Sequence, residues 1–117
     1  MKMIMFVLHD PARLPELLDA WQAAGAGGTT VLFSTGAGRL RQAALRDDLP
    51  LMPSAGDFFA RQEEMSRTLF TVVKDQATAK RVIAATRSVV GDLSRPDSGL
   101  LFVLPVEQAE GLLKKHQ

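Results

Sequence analysis

The stretch Thr29-Thr30-Val31-Leu32-Phe33-Ser34-Thr35-Gly36-Ala37-Gly38-Arg39 decides how the rest of the chain is read. From Thr29 to Thr35 it is rich in β-branched and apolar residues, which suit a pleated, half-buried strand. It then sets two glycines around an alanine and ends on arginine, so the strand runs straight into a glycine-punctuated, basic loop. Gly36 and Gly38 allow backbone angles closed to other residues and let main-chain N–H groups approach an anion. Arg39 offers a planar donor fork that matches phosphate. The plainer reading is that the glycines only turn the chain and that Arg39 is solvated.

Upstream of that stretch, Met3–Leu8 is a short continuous apolar run, the pattern of a strand buried on both faces. Asp10 is a good N-cap with Pro11 at the first helical position, and Leu14, Leu17, Leu18 and Trp21 form the stripe of an amphipathic helix. Pro15 falls within the first turn, where its missing N–H is tolerated. Gly25-Ala26-Gly27-Gly28 ends that helix. Downstream, Leu40–Ser66 loses strong periodicity and is broken by Pro50, Pro53 and Gly56; Leu40–Leu45 and Phe58–Met65 are each expected to form at most a helical turn or two. Thr68–Val73 reads as a third strand. Asp75 caps a second helix with the stripe Ala79, Val82, Ile83, Thr86 and Val90. Val90–Gly99 is a loop, Leu100–Leu104 a fourth strand stopped by Pro105, and Glu107–Lys115 a candidate terminal helix.

An internal echo orders these pieces. Phe6-Val7-Leu8-His9-Asp10-Pro11-Ala12 resembles Thr71-Val72-Val73-Lys74-Asp75-Gln76-Ala77, and Leu32-Phe33 matches Leu101-Phe102. Two βαβ halves joined by a long loop assemble naturally as an α+β, ferredoxin-like βαββαβ sandwich. It has a four-stranded antiparallel sheet with both helices on one face. Right-handed crossovers place the first and third strands in the centre. Two helices cover only one face, yet the central strands are apolar at nearly every position. An obligate homo-oligomer packed sheet to sheet follows as an expectation.

The totals narrow the function classes. The chain has 117 residues, 46% hydrophobic and 23% charged, within the ordinary range for one globular domain. A net charge of +1 makes no case for nucleic acid or an anionic membrane. The absence of cysteine removes thiol nucleophiles and thiolate metal sites. The apolar start is too short for a signal peptide or a membrane span, so a soluble, cytoplasmic protein without membrane insertion is expected. His9 and His116 are too far apart in sequence for a metal-ligand spacing and read as loop and tail residues. Asp47-Asp48 and Glu63-Glu64 read as solvated charge, and Ser34 and Thr35 have no base nearby in sequence. No catalytic constellation is found, and an enzyme is not expected. Phe58 and Phe59 cannot both face one core from a helix, so one of them is a candidate partner anchor.

In order and spacing, the whole chain resembles the nitrogen-regulatory PII signalling family and its PII-like relatives. Gly36-Ala37-Gly38-Arg39 is similar to the family's Gly-x-Gly-Arg at the root of the T-loop, segment 36–66 stands where the T-loop stands, and Gly99–Val106 resembles the family's Gly-x-Ile-Phe-Val-x-Pro-Val ending. The resemblance implies a homotrimer of single PII-like domains spanning 1–117, with an effector bound in clefts between subunits. It places Thr30, Gly36, Ala37, Gly38, Arg39, Asp97, Ser98 and Gly99 at that effector site. The long loop, with Phe58 and Phe59, would then signal to an unidentified protein partner such as a transporter, enzyme or regulator. The departures are specific. Leu40 stands where the family has a glutamine that helps hold magnesium-bound ATP, and Asp97-Ser98-Gly99-Leu100 replaces Gly-Asp-Gly-Lys. Gly111 and Leu113 fall where arginines meet the phosphates, and no tyrosine is present for uridylylation. Desolvating a triphosphate without these partners is unfavourable. A less charged effector (AMP, ADP or a cyclic nucleotide) or another anion is therefore expected, with no required cofactor and no metal. Two other readings are a ligand-free scaffold of the same fold and a CutA-like metal-tolerance trimer.

Overall fold

Residues Lys2–Leu8 form strand β1, in which Ile4, Phe6 and Leu8 are buried while Met3, Met5 and Val7 are half-buried. The computed structural model from which this is seen describes residues 1–37, 66–96 and 98–112. The alternation is the two-residue period of a strand, with one face turned to a core. After β1 the Asp10 carboxylate accepts a hydrogen bond from the Ala12 N–H at 3.1 Å, and Pro11–Arg13 makes a turn of 3₁₀ helix. Helix α1 follows at Leu14–Ala24, slightly later than the Asp10 cap alone suggests. Its stripe turns inward as expected, with Leu17 and Trp21 buried and Leu14 and Leu18 packed against the core.

Gly25 ends α1 at φ +110°, a left-handed conformation that favours glycine. Strand β2 is Thr30–Ser34, and strand β3 is Ser66–Val73, two residues longer at its start than its apolar run. Helix α2 spans Gln76–Val90, its N-terminus capped by the Asp75 carboxylate, which accepts from the Thr78 N–H at 2.8 Å. Ala79, Val82 and Thr86 are buried on its inner face. The next buried position is Val89 and not the expected Val90, which is only partly covered. Both spacings lie on one helix face. The choice is consistent with Arg13 Nη2 donating to the Val89 carbonyl, a tie between the start of α1 and the end of α2.

Strand β4 is Leu100–Pro105 and includes the proline expected to stop it; Pro105 pairs with Lys2 at the end of an edge strand, where no further ladder bond is required of it. The terminal helix expected from Glu107 is not formed over Glu107–Leu112. The Val106 N–H instead bonds to the Met1 carbonyl at 3.1 Å, and Gly111 takes φ +84°. The short segments expected at Leu40–Leu45 and Phe58–Met65, and the candidate anchors Phe58 and Phe59, lie outside the described residues.

The four strands form one antiparallel sheet in the order β2-β3-β1-β4, with β1 and β3 central as the crossover rule requires. The helices cover one face. Trp21 is fully buried there with Ile4, Phe6, Leu69 and Val82. Its indole N–H donates to Thr86 Oγ1 at 2.8 Å, and Thr86 passes the bond on to the Val82 carbonyl at 2.8 Å, so the polar groups in this core are paired. Arg81 Nε donates to the Ala24 carbonyl at 3.2 Å and ties α2 to the end of α1.

Candidate functional site

Strand register brings the loop-bearing ends of the chain together. Ser34 at the end of β2 pairs with Ser66 at the start of β3; Leu8 at the end of β1 pairs with Arg67, and Val7 with Leu100 at the start of β4. One end of the sheet therefore carries Gly36 and Ala37 beyond β2, His9 beyond β1, and Ser98 and Gly99 ahead of β4. Gly36 and Ala37 are exposed, and Ser98 and Gly99 half-buried. Thr30 is not part of this end. It opens β2, pairs with Phe70, and stands four residues from Ser34, about 13 Å at the usual strand rise. Gly38, Arg39 and Asp97 lie outside the described residues.

The loop ahead of β4 is held by its own hydrogen bonds. Asp92 Oδ1 accepts from the Ser94 N–H at 2.9 Å and from Ser94 Oγ at 2.7 Å. The backbone hydrogen bond, then the side-chain one, holds the Asp92 carboxyl below its ordinary value of 3.8, and the nearby Arg95 charge adds to this. Ser98 Oγ donates to the Arg95 carbonyl at 2.7 Å. Gly99 has a packing role of its own. At φ +122°, a Cβ there would stand 2.6 Å from the Val7 carbonyl oxygen and 2.7 Å from the Phe6 ring. Only glycine lets this loop close onto β1. Leu100, where the resembled motif has a lysine, is exposed.

Sequence reasoning missed a row of polar groups on the open face of the sheet, at this same end. Thr68 Oγ1 donates to Ser34 Oγ at 2.8 Å, and His9 Nδ1 and Ser66 Oγ hydrogen-bond at 3.2 Å. The signal for it was faint: Ser34, Ser66 and Thr68 share a face only once the register is known, and His9 and Ser66 are 57 residues apart. On the other face Arg67 stacks its guanidinium 4.4 Å from the centre of the Phe33 ring. Among the described residues no group of three or more His, Cys, Asp or Glu could hold a metal ion.

The open antiparallel sheet, its two helices on one face and the long connection between β2 and β3 define a ferredoxin-like α+β domain. The family model described as Nitrogen regulatory protein P-II matches residues 1–116, and the chain belongs to that family. Proteins of this family are regulatory and are typically trimers. A comparison with curated proteins gives no match. No helix among the described residues is long and apolar enough to cross a membrane.

Proposed function

We propose that the chain is a cytoplasmic PII-like regulator and not an enzyme. It assembles as a homotrimer, binds a small anionic effector between subunits, and passes that state to a protein partner through segment 36–66. The observation that carries this reading is the placement of Gly36, Ser98 and Gly99 at one end of the sheet, on its two opposite edges, at the end from which the long segment departs. The root of the loop and the effector-site glycines then lie at one end of the sheet, and an effector with different affinity for two loop conformations shifts their populations. The open face supports the trimer, since its apolar side chains need cover. In a trimer Thr30, distant from its own Gly36, would serve a neighbour's cleft.

The effector carries little charge. Leu40 and Leu100 stand where polar and cationic contacts to a triphosphate would be needed, and unpaired phosphate charge resists desolvation. AMP, ADP or a cyclic nucleotide is the fitting class. Calorimetry with AMP, ADP, ATP, cyclic nucleotides and bicarbonate tests this. Binding of the less charged nucleotides ahead of ATP is expected, and no binding by any of them at millimolar concentration overturns it. The exposed Leu100 favours one second reading, a scaffold whose effector site has been lost. On that reading Arg39→Ala changes neither partner binding nor stability.

A further inference from the structure

We propose that the open face is a redox switch: oxidation of Met3 and Met5 to sulfoxides by a peroxide stops the subunits from assembling while leaving each subunit folded. This rests on the homotrimer proposed above and adds the condition under which it forms.

Position comes first. Met3 and Met5 alternate with Ile4 and Phe6 along the central strand β1, so they lie on the open face in the middle of the sheet. Both are half-buried. Met1 continues the alternation beyond the strand, is 40% exposed, and is held by its carbonyl, which accepts from the Val106 N–H at 3.1 Å. Among the described residues no methionine enters the core beneath the helices, where Ile4, Phe6, Leu8 and Leu69 stand instead. Met52 and Met65 lie outside the described residues. The chain has no cysteine, so thioethers are its only sulfur groups open to a mild oxidant. Oxidation along β1 therefore meets the open face and spares the closed one.

The reaction transfers one oxygen atom. The O–O bond of the peroxide breaks, the thioether sulfur takes the oxygen and is oxidised, and the peroxide is reduced, to water in the case of hydrogen peroxide. A flexible apolar side chain becomes a polar one that needs a hydrogen-bond donor. The strand register denies it one. Met3 stands between Val72 and Leu104, and Met5 between Phe70 and Phe102, none of whose side chains can donate. In the free subunit water satisfies the sulfoxide oxygen, because both positions are partly exposed. Once a second copy covers the face, the oxygen is left among its apolar strand neighbours without that water, which is unfavourable. Assembly in turn shields both sulfurs, so the switch acts on subunits before they associate. The change is reversible, since a methionine sulfoxide reductase supplied with a dithiol returns the thioether and releases the oxygen as water.

The test is hydrogen peroxide treatment of the full-length protein and of its double variant Met3→Leu, Met5→Leu, at a concentration where subunits exchange, followed by sedimentation. Leucine keeps close to the volume and apolar character of methionine but takes no oxygen. The parent protein is expected to lose its assembled mass on oxidation while keeping its circular dichroism, and to regain that mass with reductase and dithiothreitol. The variant is expected to stay assembled throughout. Dissociation of both proteins alike overturns the role of Met3 and Met5, since the variant retains Met1, Met52 and Met65. A parent protein that stays assembled, whether or not peptide mass mapping finds sulfoxide at Met3 and Met5, overturns the switch and leaves the homo-oligomer standing. A parent protein that is monomeric before any oxidation overturns the proposal together with the assembly beneath it. Mass mapping of the assembled and free fractions of the partly oxidised parent gives a second reading that does not depend on the variant. Sulfoxide at Met3 and Met5 is expected to concentrate in the free fraction, and an even distribution between the two overturns the proposal.

Discussion

The same four strands build two faces with opposite fates. On the helix-covered face, Ile4, Phe6 and Leu69 are fully buried. On the other, Leu32, Leu100 and Leu104 are 50%, 58% and 44% exposed, and Met3, Met5, Phe70 and Phe102 are half-buried. The residue types hardly differ, so hydrophobicity alone does not decide burial in one chain. What differs is whether α1 and α2 reach over. One face is closed by local chain over the central strands, whereas the other is left partly open by the described residues, with a polar row at its loop end. Folding of the subunit is therefore governed by the first face, and the second is the surface left for the proposed assembly.

The largest break in that comparison is Trp21→Ala. The ring fills the space between α1 and α2 on the closed face, and its loss is expected to cost about 3–5 kcal/mol of unfolding free energy. Thr86 Oγ1 would also lose the indole donor. Urea unfolding measures the change; a cost below about 1 kcal/mol would mean that the closed face is not the one stabilising the subunit. Gly99→Ala is next. The new methyl meets the Val7 carbonyl and the Phe6 ring, neither of which is a flexible side-chain end, and adopts a left-handed backbone. Overpacking of this kind costs about 1–3 kcal/mol, readable in the same experiment. Nearly unchanged stability would show that the β4 entry loop is free to move away from β1.

The open face is sharpened by a substitution that leaves the subunit intact. Phe102 projects from β4 on that face, opposite Met5. Phe102→Lys is expected to change subunit stability by no more than about 0.5 kcal/mol, as surface substitutions usually do, while converting the assembly to monomers. Sedimentation gives the mass and circular dichroism the fold. An assembly of unchanged mass would show that the open face is not the interface.

Much of this division was legible before any coordinates, because it follows from periodicity. The two stripes and both N-caps come from residue spacing and the central placement of β1 and β3 from crossover handedness; cover for the second face is an expectation that the oligomeric state tests. The failures are local and physical. β3 begins at Ser66 because strand pairing with Ser34 continues past the apolar run that marks a strand in sequence. Val89 displaced Val90 because spacings of three and four residues both satisfy a helix face. The internal echo was only half in phase. Phe6 and Thr71 both face the helices, but Leu32 lies on the open face whereas Leu101 packs against the core. The candidate site divided along similar lines. Gly36 and Gly99 stand out by type, whereas the His9–Ser66 bond depends on a register that sequence does not display.

The smallest expected effect concerns the latch of the closed face. Asp75 caps α2, one of the two helices that make that face closed, and its carboxyl is held below the ordinary 3.8. The backbone hydrogen bond from Thr78 is the main cause, followed by the side-chain one, with the Arg81 and Lys74 charges contributing less. Because the folded value is the lower one, the unfolded chain binds more protons between the two values, and stability rises with pH across that window. The contribution is complete above the ordinary carboxylate value and is lost as pH falls through the folded one. Asp75→Asn keeps a capping oxygen but removes the titration. The parent protein is therefore expected to melt slightly above the variant at about pH 7, with the gap closing as the pH falls below the ordinary carboxylate value. Thermal melts of the two proteins across that range measure the gap. A difference that stays constant down to the acid limit would show that the cap contributes through geometry alone, and that acid does not loosen α2 from the sheet by this route.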